Sequence, residues 1–444
     1  MKRSRTKRSI VCFISVFAML LQLCAPVSAG VAEGENEYEI YPTPQAVTYD
    51  NGAVALTEQV DVTYGEGIDG YTQKKTETAL GKAGLSKSTA QDNAHTKLIV
   101  GIYGKSDVAS YESALGAADF FTGSVDGLAA AKRFDKYILN ISDNQIVILG
   151  QDTDAAFRGV TTLQRILEQV SQTDKSVRKM TVKDYAEIEF RGFIEGYYGN
   201  PWSHEDRADL LKYGGEIKMN QYVFAPKDDP YHRAQWRDLY PETGEKNSLV
   251  QIRDLAKAGN ENKCYYVYAL HPFYTDKITL ENYDRDIAAL KAKFEQVINA
   301  GVRQIAILED DGNAHSDWET ASQILIRVLN DISAWLQEKK TSSDEFADLK
   351  TELLFCPGFM AYANSMTNSE DTDVKKIQEV HANVGENVRI VMTGGKIWGD
   401  VTTQFADRFY TKTNEKKEPG RYPYLWVNWP CSDNTHDSLV MGGT

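Results

Sequence analysis

Apolar and polar positions alternate in two different ways along this chain, and the change falls near residue 186. Before it, short runs of period two read as strands: VDVTY from Val60, KLIVGIY from Lys97, and the pair KYILNIS from Lys136 and QIVILG from Gln145. Ala156, Val160, Leu163, Ile166 and Leu167 then recur at helical spacing. This predicts a helix over 155–170, with Asp152 or Asp154 as its N-cap. Together these elements predict a small α+β domain over 37–185. From Ile188 onward, short apolar runs are separated by longer amphipathic stretches: FRGFIEG, NQYVFAPKD, CYYVYALHP, RQIAILEDD, LLFCPGF, RIVMTGG, YLWVNWP and SLVMGG. Strand followed by helix, repeated in this way, predicts an α/β fold, a (β/α)8 barrel over 186–444, with its site at the carboxyl ends of the strands. The eighth run ends just before Thr444, so the expectation is a barrel cut after its last strand, with further binding modules beyond residue 444.

The first 29 residues do not belong to this pattern. Lys2, Arg3, Arg5, Lys7 and Arg8 precede an apolar run from Ile10 to Leu23, and the small residues Val27 and Ala29 stand before a cut that leaves Gly30 first. This is the layout of a cleaved signal peptide, and the run is too short to span a bilayer comfortably. Export to the medium or the cell surface is the expectation, without stable membrane insertion. Removing the peptide deletes five positive charges and no acid, which takes the formal charge from −14 to −19. So acidic a chain repels nucleic acid and anionic membranes, and neutral partners fit it better. Cys264, Cys356 and Cys431 remain after processing, an odd number that offers no disulfide framework. His204, His232, His271, His315 and His436 show no HExxH or Cys/His ligand spacing, and no phosphate-cradling loop or nucleophile elbow is present, so no metal or cofactor is expected.

The strongest local signal for chemistry is ILEDDGN, where Asp310 and Asp311 close the fourth barrel run. Adjacent residues in a regular strand point to opposite faces, but at a strand end both carboxylates can turn toward the barrel mouth. Two carboxylates so close do not both ionise freely, so one is expected to keep its proton nearer neutral pH and serve as general acid. Glu309 leaves a register ambiguity, because Glu309 with Asp310 is also a pair. A solvated acidic loop or a helix N-cap is the plainer alternative. Tyr197, Tyr198 and Trp202 after the first run could stack on the faces of a ligand ring, although most aromatics at such positions are core.

The first run and its loop read RGFIEGYYGNPW, and the second reads APKDDPYHR. This pair at this spacing resembles the signature of glycoside hydrolase family 84, which contains O-GlcNAcases and bacterial enzymes called hyaluronidases. The preceding strand pair and helix, together with EIYPTPQ from Glu39, resemble the small N-terminal domain of hexosaminidases of families 20 and 84. The resemblance implies a β-N-acetylglucosaminidase and assigns roles residue by residue. Gly196 matches the glycine whose carbonyl touches the terminal sugar, and Lys227 matches the lysine that binds sugar hydroxyls. Asp310 matches the aspartate that orients and polarises the 2-acetamido group, and Asp311 the general acid/base. Trp426, Asn428 and Asp433 in YLWVNWPCSD match a W-x-N pattern with its later aspartate: Asn428 for the acetamido oxygen or oxazoline, Asp433 for the distal hydroxyls. Where the family commonly has a tyrosine after the fifth strand, this chain has Met360, with Tyr362 two residues on as a possible substitute. MTGGKIW and HPFYTD also depart from the family's usual text.

The implied mechanism needs no enzyme nucleophile, because the acetamide oxygen of the substrate attacks the anomeric carbon and the β-configuration is retained. The implied partners are glycans or glycoproteins with terminal β-linked GlcNAc. Three alternatives stand beside this reading. A family 20 hexosaminidase would need an Asp-Glu pair that ILEDD does not offer. Hyaluronidase action is opposed by the chain's own negative charge. A non-catalytic carbohydrate-binding protein is opposed by the presence of Lys227, Asp310, Asp311, Asn428 and Asp433 together.

Overall fold

The computed structural model describes residues 37–123, 133–171, 173–196, 201–358, 372–392 and 424–426. The amino-terminal part builds one mixed sheet from β1 (Ala46–Ala55), β2 (Gln59–Tyr64), β3 (Ser86–Lys87), β4 (Thr96–Ile102), β5 (Phe134–Ser142), β6 (Gln145–Gly150) and β7 (Ser176–Ala186). Their order is β1-β7-β5-β6-β4-β2-β3, antiparallel from β1 to β6 and parallel from β6 to β3. Helix α1 (Gly70–Lys82) and helix α4 (Thr153–Leu167) pack on the sheet and on each other, with the short helices α2 (Ala109–Ala114) and α3 (Ala117–Thr122) on the chain between β4 and β5. The predicted helix is α4, and its cap is now assigned: the Asp152 side chain accepts from the Ala155 amide at 2.8 Å. Asp154 faces elsewhere, as described below.

The second sheet is parallel throughout, and its strands follow chain order. They are β8 (Gly192–Glu195), β9 (Gln221–Phe224), β10 (Tyr265–Leu270), β11 (Gln304–Leu308), β12 (Leu353–Cys356), β13 (Val388–Met392) and β14 (Tyr424–Leu425). Between them run α5 (His204–Glu216), α6 (Leu249–Asn262), α7 (Tyr283–Asn299), α8 (Trp318–Thr341) and α9 (Thr372–Asn383). Each of the first seven predicted runs therefore contains a strand. The eighth, SLVMGG, lies outside the described residues.

The sheet is curled, because its first and last strands approach one another. The Tyr424 hydroxyl donates to Gln221 Oε1 at 2.9 Å across the interior, and the rings of Phe190 and Tyr424 lie 5.3 Å apart. Side chains alternate as a pleated strand requires. Val223, Ala225, Val267, Ala269, Ala306, Leu308, Leu354, Cys356 and Val391 fill the inside. Tyr222, Phe224, Tyr266, Tyr268, Ile305, Ile307 and Phe355 point outward under the helices, where Leu290, Phe294, Ile324, Leu325 and Val328 meet them. Small aliphatic groups inside and aromatics outside are what a narrow filled barrel with an outer helical ring demands. Cys264 and Cys356 are buried free thiols. No helix among the described residues is long and apolar enough to cross a membrane.

The amino-terminal domain docks on the end of the barrel where the strands begin. Asp154, at the start of α4, accepts from Lys263 at 2.9 Å, Lys350 at 3.0 Å and the Tyr265 hydroxyl at 2.7 Å. Lys218 donates to Asp184 at 2.7 Å and to the Tyr137 hydroxyl at 2.9 Å, while Arg191 pairs with Asp135. These barrel residues precede β8, β9 and β12 or open β10, so among the described residues the amino-terminal domain meets the barrel at the end opposite the carboxyl ends of the strands.

Candidate active site

Strand alternation selects the residues that reach the mouth. The inward positions 306 and 308 of β11 continue to Asp310, those of β9 to Lys227, those of β10 to His271, and Ile194 of β8 leads to Gly196. The ambiguity between Glu309 and Asp310 is resolved by this parity. Asp310 lies inside, and Glu309 points outward beneath the turn that follows.

Asp310 is buried and holds Lys227, whose ammonium donates to its Oδ2 at 2.9 Å. Burial pushes the Asp310 carboxyl upward, but the Lys227 charge and hydrogen bond, together with the neighbouring imidazoles His271 and His232, bring it below the usual carboxylate range. Its other oxygen, Oδ1, is buried with no hydrogen-bond partner among the described residues. Asp311 has a left-handed backbone, φ 58°, a conformation aspartate tolerates better than most residues. This breaks the alternation, and the Asp311 carboxylate comes to 4.0 Å from the same ammonium with 33% of its side chain still exposed. One cation thus gathers both carboxylates, one enclosed and one open to solvent. Of the two neighbouring aspartates, Asp310 is the one held toward its ionised form. The carboxyl pushed up, to about 7 by burial, is Glu309.

The turn bearing Lys227 is tied down from below. Asp229, itself buried, accepts from the Tyr231 amide at 2.8 Å and the Tyr240 hydroxyl at 2.7 Å, and the Tyr268 hydroxyl donates to Tyr240 at 3.0 Å. Gly196 stands opposite Trp426, where a Cβ would lie 3.6 Å from the indole. These two bring the ends of β8 and β14 together at the mouth. Asn428, Asp433, Tyr362 and Met360 lie outside the described residues, as do Tyr197 and Tyr198. Trp202 is described and packs against the outer core, 6.4 Å from the Tyr222 ring, so it is not a wall of the mouth. Glu195, the acid of FIEG, is also accounted for: Arg207 grips it with two bonds of 2.8 Å and the Tyr222 hydroxyl donates to it.

His271 was not singled out from the sequence. Its Nε2–H donates to the Asp310 carbonyl at 2.5 Å, and its amide donates to the His232 carbonyl at 2.8 Å. His232 donates from Nδ1 to the Ala269 carbonyl at 2.8 Å. Burial lowers both imidazoles, His232 to about 3, so both are neutral near pH 7. His271 Nδ1 and His232 Nε2 are buried without hydrogen-bond partners among the described residues. The signal that could have found His271 is parity, since HPFYTD begins one inward step past Ala269.

Comparison with known proteins agrees with this geometry. The beta-N-acetylglucosaminidase family profile matches residues 191–444, and the profile described as glycosyl hydrolase family 20, domain 2, matches residues 37–185. The Protein O-GlcNAcase of Rattus norvegicus and that of Mus musculus are each 28% identical over 257 residues, covering 56% of this chain. The chain spans 25% of the length of those two proteins. Among solved structures, CpGH84D is 32% identical with a TM-score of 0.75, over 89% of this chain and 61% of its own. CpGH84B is 26% identical with a TM-score of 0.68, over 89% and 62%. With a curled parallel sheet behind a small amino-terminal domain and a family profile across more than half of its length, the chain belongs to the beta-N-acetylglucosaminidase family, glycoside hydrolase family 84.

Proposed function

We propose that this protein is an exported exo-acting, retaining β-N-acetylglucosaminidase that removes terminal β-linked GlcNAc from glycans or glycoproteins by substrate-assisted catalysis. The observation that carries the reading is the Lys227–Asp310 pair. It presents a carboxylate that is kept ionised, enclosed, and has one acceptor oxygen without a hydrogen bond among the described residues, beside a second carboxylate open to solvent. An enclosed anion with a spare acceptor suits an amide N–H that becomes positive as its own oxygen attacks the anomeric carbon. Asp310 takes that role. Asp311, within reach of solvent, protonates the leaving oxygen and later takes a proton from water as the oxazoline opens. Lys227 holds Asp310 in place and meets sugar hydroxyls, Gly196 lets the sugar approach the backbone, and Trp426 forms the wall beside it. Asn428, Asp433 and Tyr362 complete the set by family resemblance. Export rests on the basic-then-apolar leader of residues 1–29.

The test compares an aryl N-acetyl-β-glucosaminide with the corresponding β-glucoside. If the nucleophile belongs to the substrate, removing the acetamide removes the bond-forming group, and turnover of the glucoside is lost at every concentration. Comparable kcat values for the two would require an enzyme nucleophile and would sink this mechanism.

A further inference from the structure

The carboxylate next to the catalytic pair has work of its own. Glu309 is buried, yet no ammonium or guanidinium lies within ion-pair distance of it among the described residues. Its Oε1 accepts from the Ala314 amide at 2.7 Å, in the loop that follows Asp311, and its Oε2 accepts from the Gly358 amide at 3.0 Å, at the end of β12. The same small region leaves little slack. A Cβ on Gly312 would meet the Phe273 carbonyl at 2.7 Å and His271 at 3.0 Å, and one on Gly358 would meet the Gly312 carbonyl at 2.4 Å. The Glu309 amide donates to the Cys356 carbonyl at 2.7 Å, and the Gly312 amide donates to the Glu309 carbonyl at 2.8 Å. The turn bearing Asp310 and Asp311 is therefore locked to its neighbours by backbone on one side and by a single carboxylate on the other.

We propose that Glu309 is a positioning residue, whose ionised carboxylate ties the loop after Asp311 to the end of β12 and so sets the geometry of the catalytic pair. Both of its partners are N–H donors. The ionised form satisfies both with charge-assisted bonds, whereas protonation makes one oxygen a hydroxyl, a poorer and uncharged acceptor, and weakens the tie to its N–H. Burial raises this carboxyl from 4.5 to about 7, so the change of grip falls near neutrality. The charged and titratable groups around it are Lys277 after β10, Lys376 of α9, His271 beside Gly312, Cys356 of β12, His315 across a cavity of about 280 Å³, and Asp310 next in the chain. Of these, the two lysines favour the ionised form without reversing the effect of burial. The inference rests on the assignment of Asp310 and Asp311 to catalysis.

Glu309→Gln keeps the shape but places an amide NH2 against one of the two N–H groups, so it imitates the protonated form at every pH. Steady-state kinetics on an aryl N-acetyl-β-glucosaminide between pH 5 and 9 should show the wild-type kcat falling below about pH 7. In Glu309→Gln, kcat should be about tenfold to a hundredfold lower at pH 8, with KM within about threefold and without that acidic fall. A wild-type kcat and pH profile in the variant would overturn the proposal. So would a variant that loses rate but keeps the same acidic midpoint. A second measurement does not depend on turnover: amide protection factors at Ala314 and Gly358, in the unaltered full chain, should be higher at pH 8 than at pH 6. Flat protection across that range overturns the proposal even where Glu309→Gln fails to fold. A chain that turns over no β-GlcNAc substrate yet shows the pH-dependent protection would remove the enzymatic reading and leave the Glu309 tie standing.

Discussion

The two ends of the barrel use buried charge in opposite ways. At the amino end, Asp154 has two lysines and a tyrosine, Lys218 has an aspartate and a tyrosine, and Lys263 has Asp69 as well as Asp154. Even Arg158, whose Nε and Nη1 lack hydrogen bonds, has Asp135 at 3.7 Å and donates from Nη2 to the Lys263 carbonyl at 2.7 Å. At the carboxyl end the pairing is thinner among the described residues, where Asp310 Oδ1, His271 Nδ1 and His232 Nε2 have no hydrogen-bond partner. Leaving a buried polar atom unpaired is costly, so the charges that hold domains together surround themselves with partners. On the proposed mechanism those at the mouth would instead be completed by substrate, and the difference would separate charge that builds the molecule from charge that acts.

Substitutions at the two ends should therefore change different measurements. Asp310→Asn removes the anion while preserving an oxygen for Lys227, and kcat should fall about a thousandfold, equivalent to about 4 kcal/mol of transition-state stabilisation, with little change in Tm. A rate within tenfold of wild type would return the role to another carboxylate. Asp154→Ala should do the reverse. Breaking a buried ion pair destabilises by 3–5 kcal/mol, and about 3 kcal/mol is expected here because Asp154 is partly exposed and Lys263 retains Asp69. Denaturant unfolding should show that loss, while kcat measured well below the melting transition stays unchanged.

A third test uses pH at the carboxyl end. His232 titrates at about 3 in the fold, against 6.5 in its ordinary state, because burial excludes the imidazolium. The unfolded chain therefore binds a proton that the folded one refuses, and stability falls as pH drops below 6.5 toward 3. Between pH 7 and pH 5 this amounts to about 2 kcal/mol. Glu309 acts with the opposite sign: its raised value favours the fold below its unfolded value of 4.5, an advantage lost as pH rises through about 7. His232→Asn can still donate to the Ala269 carbonyl but does not titrate, so its unfolding free energy should decline less on acidification than that of the wild type. Parallel curves would mean that His232 does not govern the acid limb.

Much of this was legible in the sequence, because period-two apolar runs determine which residues face inward and strand ends determine where chemistry sits. ILEDD already contained the answer to its own register, since Ala306, Leu308 and Asp310 share one parity and Ile305, Ile307 and Glu309 the other. Lys227 and His271 obey the same rule in APKDD and ALHP. Parity could not foretell titration. Which aspartate of the pair stays ionised depends on Lys227, which follows a strand more than eighty residues earlier and pairs with Asp310, while enclosure raises Glu309. Nor could local pattern show that the acids of α4 serve a second domain, because the lysines on Asp154 lie over a hundred residues later in the chain.

The smallest effect belongs to the residue next to that interface. Asp152 and Asp154 were equal candidates to cap α4, since either stands before the first helical apolar position, and only the structure separates them. Asp152 accepts from the Ala155 amide at 2.8 Å, with the extended backbone of an N-cap, whereas Asp154 lies within the first turn and spends both oxygens on barrel residues. Losing a cap frees one helix N–H to water and typically destabilises by about 1 kcal/mol. Losing the interfacial anion leaves Lys263 with Asp69 alone and Lys350 and the Tyr265 hydroxyl without their shared acceptor. Asp152→Ala should thus lower stability by about 1 kcal/mol and Asp154→Ala by about three times that, with Asp152→Ser restoring most of the first loss and Asp154→Ser almost none of the second. Equal losses at the two positions would mean that Asp154 works as helix-terminal charge rather than as the anchor of the domain interface, and the contrast between the two barrel ends would lose its firmest example.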